Sequence, residues 1–129
     1  MEALKEYFEN TKGMSVIATA DREGKVNMAV YSRPHFLEKG SLAFIMRDRL
    51  THYNLQSNPN AAYLFVEEGP GYKGKRLYLT KIKEEENSER IETLSRRHYT
   101  KGKEGSRFLV FFKVDKVLPL VGAEDNMQA

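Results

Sequence analysis

Between Met14 and Val114 the chain breaks into six short stretches rich in β-branched and aromatic residues, each fenced by turn signals, and this punctuation limits the fold more than any other feature. The stretches cover residues 14–20, 26–33, 41–46, 60–67, 75–83 and 107–114, with 116–121 extending or following the last. Asp21-Arg22-Glu23-Gly24, Glu38-Lys39-Gly40 and Gly69-Pro70-Gly71 supply turns, and Pro34 stops the second strand. In that strand Val26, Met28 and Val30 alternate with Asn27, Tyr31 and Arg33. Three helical patterns interrupt the strands: residues 2–12, with Leu4, Tyr7 and Phe8 at helical spacing; 48–55, with Asp48 as N-cap and Asn58-Pro59 as terminator; and 87–99, with Ile91 and Leu94 inward. Six strands with short turns and few helices predict a mainly β fold, a small antiparallel barrel or sandwich with helices at its ends.

A chain of 129 residues suits one domain, here expected over 1–122 with a frayed tail over 123–129. There is no cysteine, so disulfides, thiol nucleophiles and thiolate metal sites are excluded. The opening Met-Glu-Ala-Leu-Lys-Glu lacks the pattern of a secretion signal, and the apolar runs fall far short of the roughly 20 residues that span a bilayer; a cytoplasmic protein is expected. A net charge of +3 on a chain that is 30% charged is spread among acidic residues, with no basic stripe. His35, His52 and His98 lie in separate elements without ligand spacing, so no metal is assigned. The segment from Gly69 to Lys75 lacks Walker spacing and reads as a hairpin loop. Glu84, Glu85 and Glu86 are expected in solvent at a strand-to-helix junction; Phe108, Phe111 and Phe112 are expected in the core, with a dimer face as second choice.

The most informative constellation is Phe44-Ile45-Met46-Arg47-Asp48-Arg49-Leu50-Thr51, a strand running into a helix start that carries two arginines and a threonine. Unpaired N–H groups and the helix dipole favour an anion there, arginine adds a forked donor, and threonine adds a hydroxyl. A capped surface helix with exposed arginines would use the same residues, and the Asp48 carboxylate would compete with a phosphate. Tyr31-Ser32-Arg33-Pro34-His35-Phe36 closes the second strand with polar groups that suit either a surface edge or the rim of a planar ligand. No residue stands out as a general acid or base.

From about Tyr7 to Val117 the chain resembles the pyridoxamine 5′-phosphate oxidase-like FMN-binding split-barrel superfamily. The likeness rests on the order of helix, hairpin, strand ending in Ser32-Arg33, turn at Glu38-Lys39-Gly40, strand, Arg-Leu-Thr helix start, Asn58-Pro59, and the strand Ala61-Ala62-Tyr63-Leu64-Phe65-Val66. The resemblance implies a six-stranded antiparallel split barrel that binds FMN. It implies flavin contacts from Tyr31, Ser32 and Arg33, backbone contacts from Phe44, Ile45 and Met46, and a phosphate site at Arg47, Arg49, Leu50 and Thr51. Leu50 stands where the family commonly has a basic residue, which points to Arg49 first and Arg47 second. Tyr72 is implied as a contact to a partner's flavin. Lys116-Val117-Leu118-Pro119 replaces the Arg-Leu-x-Pro substrate segment of the namesake enzyme, so pyridoxal phosphate synthesis is not expected.

The function expected from these features is that of a flavoprotein, an oxidoreductase or electron carrier acting on a small redox substrate. The alternatives are a split barrel that binds heme or a deazaflavin, and a small β-barrel that stacks single-stranded nucleic acid on its aromatics. The resemblance further implies a homodimer with flavin sites at the subunit boundary; limited core, exposed strand edges and the phenylalanine-rich last strand point the same way.

Overall fold

A computed structural model of the chain describes residues 1–94 and 105–122. Helix α1 (Glu2–Asn10) leads into strands β1 (Gly13–Ala20), β2 (Val26–Tyr31) and β3 (Leu42–Arg47). Helix α2 (Leu50–Ser57) follows, then β4 (Asn60–Glu67), β5 (Gly74–Glu86), α3 (Glu89–Leu94) and β6 (Arg107–Pro119). The strands form one six-stranded sheet, antiparallel throughout, in the order β2-β1-β4-β5-β6-β3.

The sheet curls almost into a barrel. β5 and β6 are long, and their ladder shifts register at Tyr78/Leu79 and again at Lys81/Lys83. Such bulges add bend and twist to a strand pair. The curl returns β3 to the chain just beyond β2, where His35 and Ala43 exchange two backbone hydrogen bonds of 2.8 Å each. Past that bridge β2 and β3 part, and the barrel is split. At one end of the sheet the strands press close: a Cβ at Gly74 would stand 2.0 Å from the Phe65 carbonyl oxygen, and one at Gly13 would stand 2.2 Å from that of Val66. Only glycine fits at either position.

The barrel interior holds Ile17, Phe44, Met46, Tyr63, Phe65, Leu77, Leu79, Phe108, Val110 and Phe112. Phe8 of α1 plugs one end, its ring edge-on to Tyr63 and Phe65. A second apolar cluster lies outside the barrel, where Ile91 of α3 packs on Ala43, Leu109 and Phe111. β6 is therefore buried on both faces, which explains its unbroken apolar run from Phe108 to Phe112. Phe108, Phe111 and Phe112 are core, as first expected; the last strand offers no phenylalanine surface to a partner.

The exposed apolar face lies elsewhere. Val26, Met28 and Val30 of β2 point outward and are 81%, 73% and 75% exposed, whereas Asn27, Ala29 and Tyr31 turn inward. The alternation expected for this strand is present, but its apolar phase faces out. The register sets Val30 beside Val16, Met28 beside Ala18, and Val16 beside Leu64, so the bare face continues across β1 onto β4.

Most element bounds agree with the sequence reading, β4 in full. β2 stops at Tyr31, before Ser32 and Arg33. β5 runs on to Glu86, so the three glutamates belong to a strand and not to a junction. β6 continues through Lys116 to Pro119 as one strand. The end of the expected 87–99 helix, His98, and the tail over 123–129 lie outside the described residues. Among the described residues no helix is long and apolar enough to cross a membrane.

Candidate functional site

The start of α2 lies beside the split between β2 and β3. β3 ends at Arg47, and the Arg49 N–H donates to the Arg47 carbonyl at 2.8 Å, which reverses the chain within two residues. Arg49, in extended conformation, occupies the N-cap position and supplies no side-chain cap. Asp48 does not cap the helix either, contrary to expectation; its carboxylate lies 3.9 Å from His52 Nδ1. The first N–H groups of α2 thus end in the split without a side-chain acceptor, beside the exposed Arg49 and Leu50.

α2 is seated on the barrel largely by polar contacts. Thr51, His52 and Asn54 are buried along with Leu55. Thr51 Oγ1 accepts from Asn27 Nδ2 at 3.3 Å, while Asn54 Nδ2 donates to Thr19 Oγ1 at 3.1 Å. The Thr51 hydroxyl therefore ties the helix to β2. Burial pushes the Tyr31 phenol up to about 12, against the opposing pull of the Thr51 bond and the Arg49 charge. Tyr31 is thus a neutral hydroxyl at physiological pH.

The other residues singled out from the sequence divide clearly. Phe44 and Met46 bury their side chains in the core and offer a ligand only backbone. Ala43 directs its N–H and C=O to the split edge, toward His35, and strand alternation gives Ile45 the same orientation where β2 has moved away. Arg47 is half-buried at the end of β3, opposite Arg107. Ser32 accepts from the Tyr63 hydroxyl through its carbonyl, at 3.1 Å. Arg33 donates to the carbonyls of Phe8 and Thr11 at 2.9 and 3.3 Å, closing the C-terminal end of α1. Tyr72 is exposed at the tip of the β4–β5 hairpin, with β1 and β4 between it and β2. The structure thus brings together Tyr31, Arg49, Leu50, Thr51 and the edge of β3, and leaves Arg33 and Tyr72 apart.

Two groups beside the site escaped the sequence reading. Asn27 is in phase with Tyr31 on β2, so a polar residue on the inward face was its available signal. His52 and Glu84 are 32 residues apart and carried none. His52 Nε2 lies 3.1 Å from both Glu84 oxygens, and its ring stacks on Phe108 with centroids 3.7 Å apart. Lys81 Nζ and Gln56 Nε2 donate to the same carboxylate at 2.7 and 3.1 Å. Burial raises the Glu84 carboxyl, but the bonds from Lys81, Gln56 and His52 outweigh it and hold it down at about 2. Glu84 is not a solvated surface residue.

No family model and no curated protein matches the chain. Solved structures do resemble it. An FMN-binding protein from Syntrophomonas wolfei subsp. wolfei has a TM-score of 0.72 at 19% identity, over 95% of this chain and 87% of that one. An F420 reductase has a TM-score of 0.70 at 12% identity, over 87% and 94% of the two chains. A candidate pyridoxamine 5′-phosphate oxidase from Lactobacillus delbrueckii has a TM-score of 0.65 at 17% identity, over 92% of each. With its curled six-stranded sheet open between β2 and β3, the chain has the pyridoxamine 5′-phosphate oxidase-like FMN-binding split-barrel fold.

Proposed function

We propose that this chain is an FMN-binding flavoprotein, an oxidoreductase or electron carrier acting on a small molecule, and that it works as a homodimer. The observation that carries this reading is the uncapped start of α2 beside Arg49, facing the split of a barrel whose fold is shared with an FMN-binding protein. The residues fit the group. The N–H groups of Leu50 and Thr51 and the Arg49 guanidinium would hold the phosphate, each charge-assisted bond contributing about 1.5–3 kcal/mol. The free backbone edge of Ile45 would meet the polar rim of the ring, and Tyr31 would keep a neutral donor between the ring and the phosphate. When bound, the flavin supplies the electron chemistry. Arg49 and the helix start would orient it.

The bare face of β2, β1 and β4 supports the homodimer. α3 covers the outer face of β3 and β6, while among the described residues nothing covers Met14, Val26, Met28, Val30 and Leu64 in this way. A contiguous apolar sheet face without charges on β2 suits a second copy of itself across a two-fold axis. Such a partner would also cover the edge strand β2, next to the split.

Titration of the purified protein with FMN and with riboflavin tests the reading. FMN is expected to bind at micromolar concentration or below, with riboflavin weaker by at least about tenfold for lack of the phosphate. A folded protein that binds neither flavin refutes it, and equal affinity for the two removes the α2 start from the site.

A further inference from the structure

We propose that Glu84 of β5 is a positioning residue for the α2 anion site: by gathering His52 and Gln56 on one carboxylate, it aims the first turn of the helix at the split and so sets the preference for a phosphorylated ligand. The inference rests on the FMN reading above and adds the residue that holds that site in place.

α2 cannot hold its own place. It has eight residues, too few for an isolated helix to be stable in water, and three of the four side chains it buries are polar. Hydrogen bonds therefore decide where its start points. On one side Thr51 accepts from Asn27 of β2 and Asn54 donates to Thr19 of β1, at 3.3 and 3.1 Å. These two bonds are neutral and reach adjoining strands, so by themselves they leave the helix free to tilt about that side.

The opposing hold comes from β5, which β4 separates from β1. His52 Nε2 lies 3.1 Å from both Glu84 oxygens. Gln56 Nε2 donates to Glu84 Oε1 and to the His52 carbonyl, each at 3.1 Å, and lies 3.0 Å from His52 Nε2. Residues from two successive turns of α2 thus converge on one carboxylate. Lys81 Nζ donates to it at 2.7 Å; burial works against its charge, and the bonds from Lys81, Gln56 and His52 keep it ionised. Phe108 of β6 closes the cluster, its ring 3.7 Å from that of His52. His52 is the third residue of α2 and belongs to the turn whose N–H groups open on the split, so a hold on His52 is a hold on those donors.

Charge alone argues the other way. A carboxylate near the site repels an anion, and removing it would leave the Lys81 ammonium unopposed, so neutralising Glu84 would tighten phosphate binding. Positioning predicts the opposite sign, because donors that already point at the phosphate bind it without the cost of being ordered.

The test compares FMN and riboflavin affinities at one neutral pH in the wild type, Glu84→Ala, Glu84→Gln and Gln56→Ala. Glu84→Ala is expected to bind FMN about three- to tenfold more weakly than the wild type with riboflavin unchanged, the size of a phosphate bond loosened but not lost. Glu84→Gln keeps one acceptor oxygen and should fall between the two. Gln56→Ala, made at an exposed side chain, should repeat the loss in smaller measure. If Glu84→Ala does not fold by circular dichroism, the other two variants decide. FMN affinities that stay the same or rise in the folded variants, or FMN and riboflavin affinities that fall by the same factor, overturn the role of Glu84 and leave FMN binding intact. Failure of the wild type to bind FMN overturns both.

Discussion

Arg49 carries the only charged donor that stands exposed at the uncapped end of α2 among the described residues placed at the split, with Arg47 half-buried on the preceding strand. Arg49→Ala is therefore expected to weaken FMN by about tenfold or more and to leave riboflavin unchanged, as fluorescence titration would show. Arg33→Ala should behave differently: its guanidinium holds the Phe8 and Thr11 carbonyls, so thermal stability falls before flavin affinity does. Tyr31 gives a pH signature. Its phenol ordinarily ionises near 10 and is pushed up to about 12 by burial, so the folded state keeps the proton better than the unfolded chain does. Its contribution to stability is complete below pH 10 and is lost as pH rises toward 12. Tyr31→Phe should reduce that alkaline loss in denaturant titrations. Tyr7, raised by burial and by its bond to Glu67, accounts for part of what remains.

At the scale of elements, α2 shows why a helix can be legible in sequence while its seating is not. Its start and end follow from the break after β3 and from Asn58-Pro59, both local signals. Its fastening comes from Asn27, Thr19 and Glu84, which stand 24, 35 and 32 residues from their bond partners. No local pattern encodes such pairings. The strands divide on the same principle. β4 was readable to its ends because burial alternates along it, whereas β2 alternates with its apolar phase turned to the outside, a choice that depends on what covers the sheet. The Glu84 tie between α2 and β5 predicts an acid limb. Its carboxyl is held down at about 2 from an ordinary value near 4.5, so the stabilisation is present above pH 4.5 and is lost as pH falls toward 2. Glu84→Gln should flatten that limb in acid unfolding monitored by circular dichroism; an unchanged limb would show that the tie contributes nothing.

At the scale of the whole molecule, a split barrel carries the proposed anion site in its split and an exposed apolar face that a second copy would cover. The phenylalanine-rich last strand suggested a surface for association, yet its rings are buried, because a run of phenylalanines reads alike whether a strand is exposed or buried on both faces. β6 lies between β5 and β3 and is covered by α3, so Phe111→Glu is expected to unfold the protein. Met28→Glu should instead leave the circular dichroism spectrum intact, yield a monomer by light scattering and lower FMN affinity. A Met28→Glu protein that remains dimeric would move the interface off this face. Amide chemical-shift mapping during FMN titration asks whether the start of α2 and the free edge of β3 hold FMN, as proposed. The largest changes are expected at Arg49, Leu50, Thr51 and Ile45, with the first three much reduced for riboflavin. Saturable FMN binding that leaves these four amides unmoved would contradict that proposal.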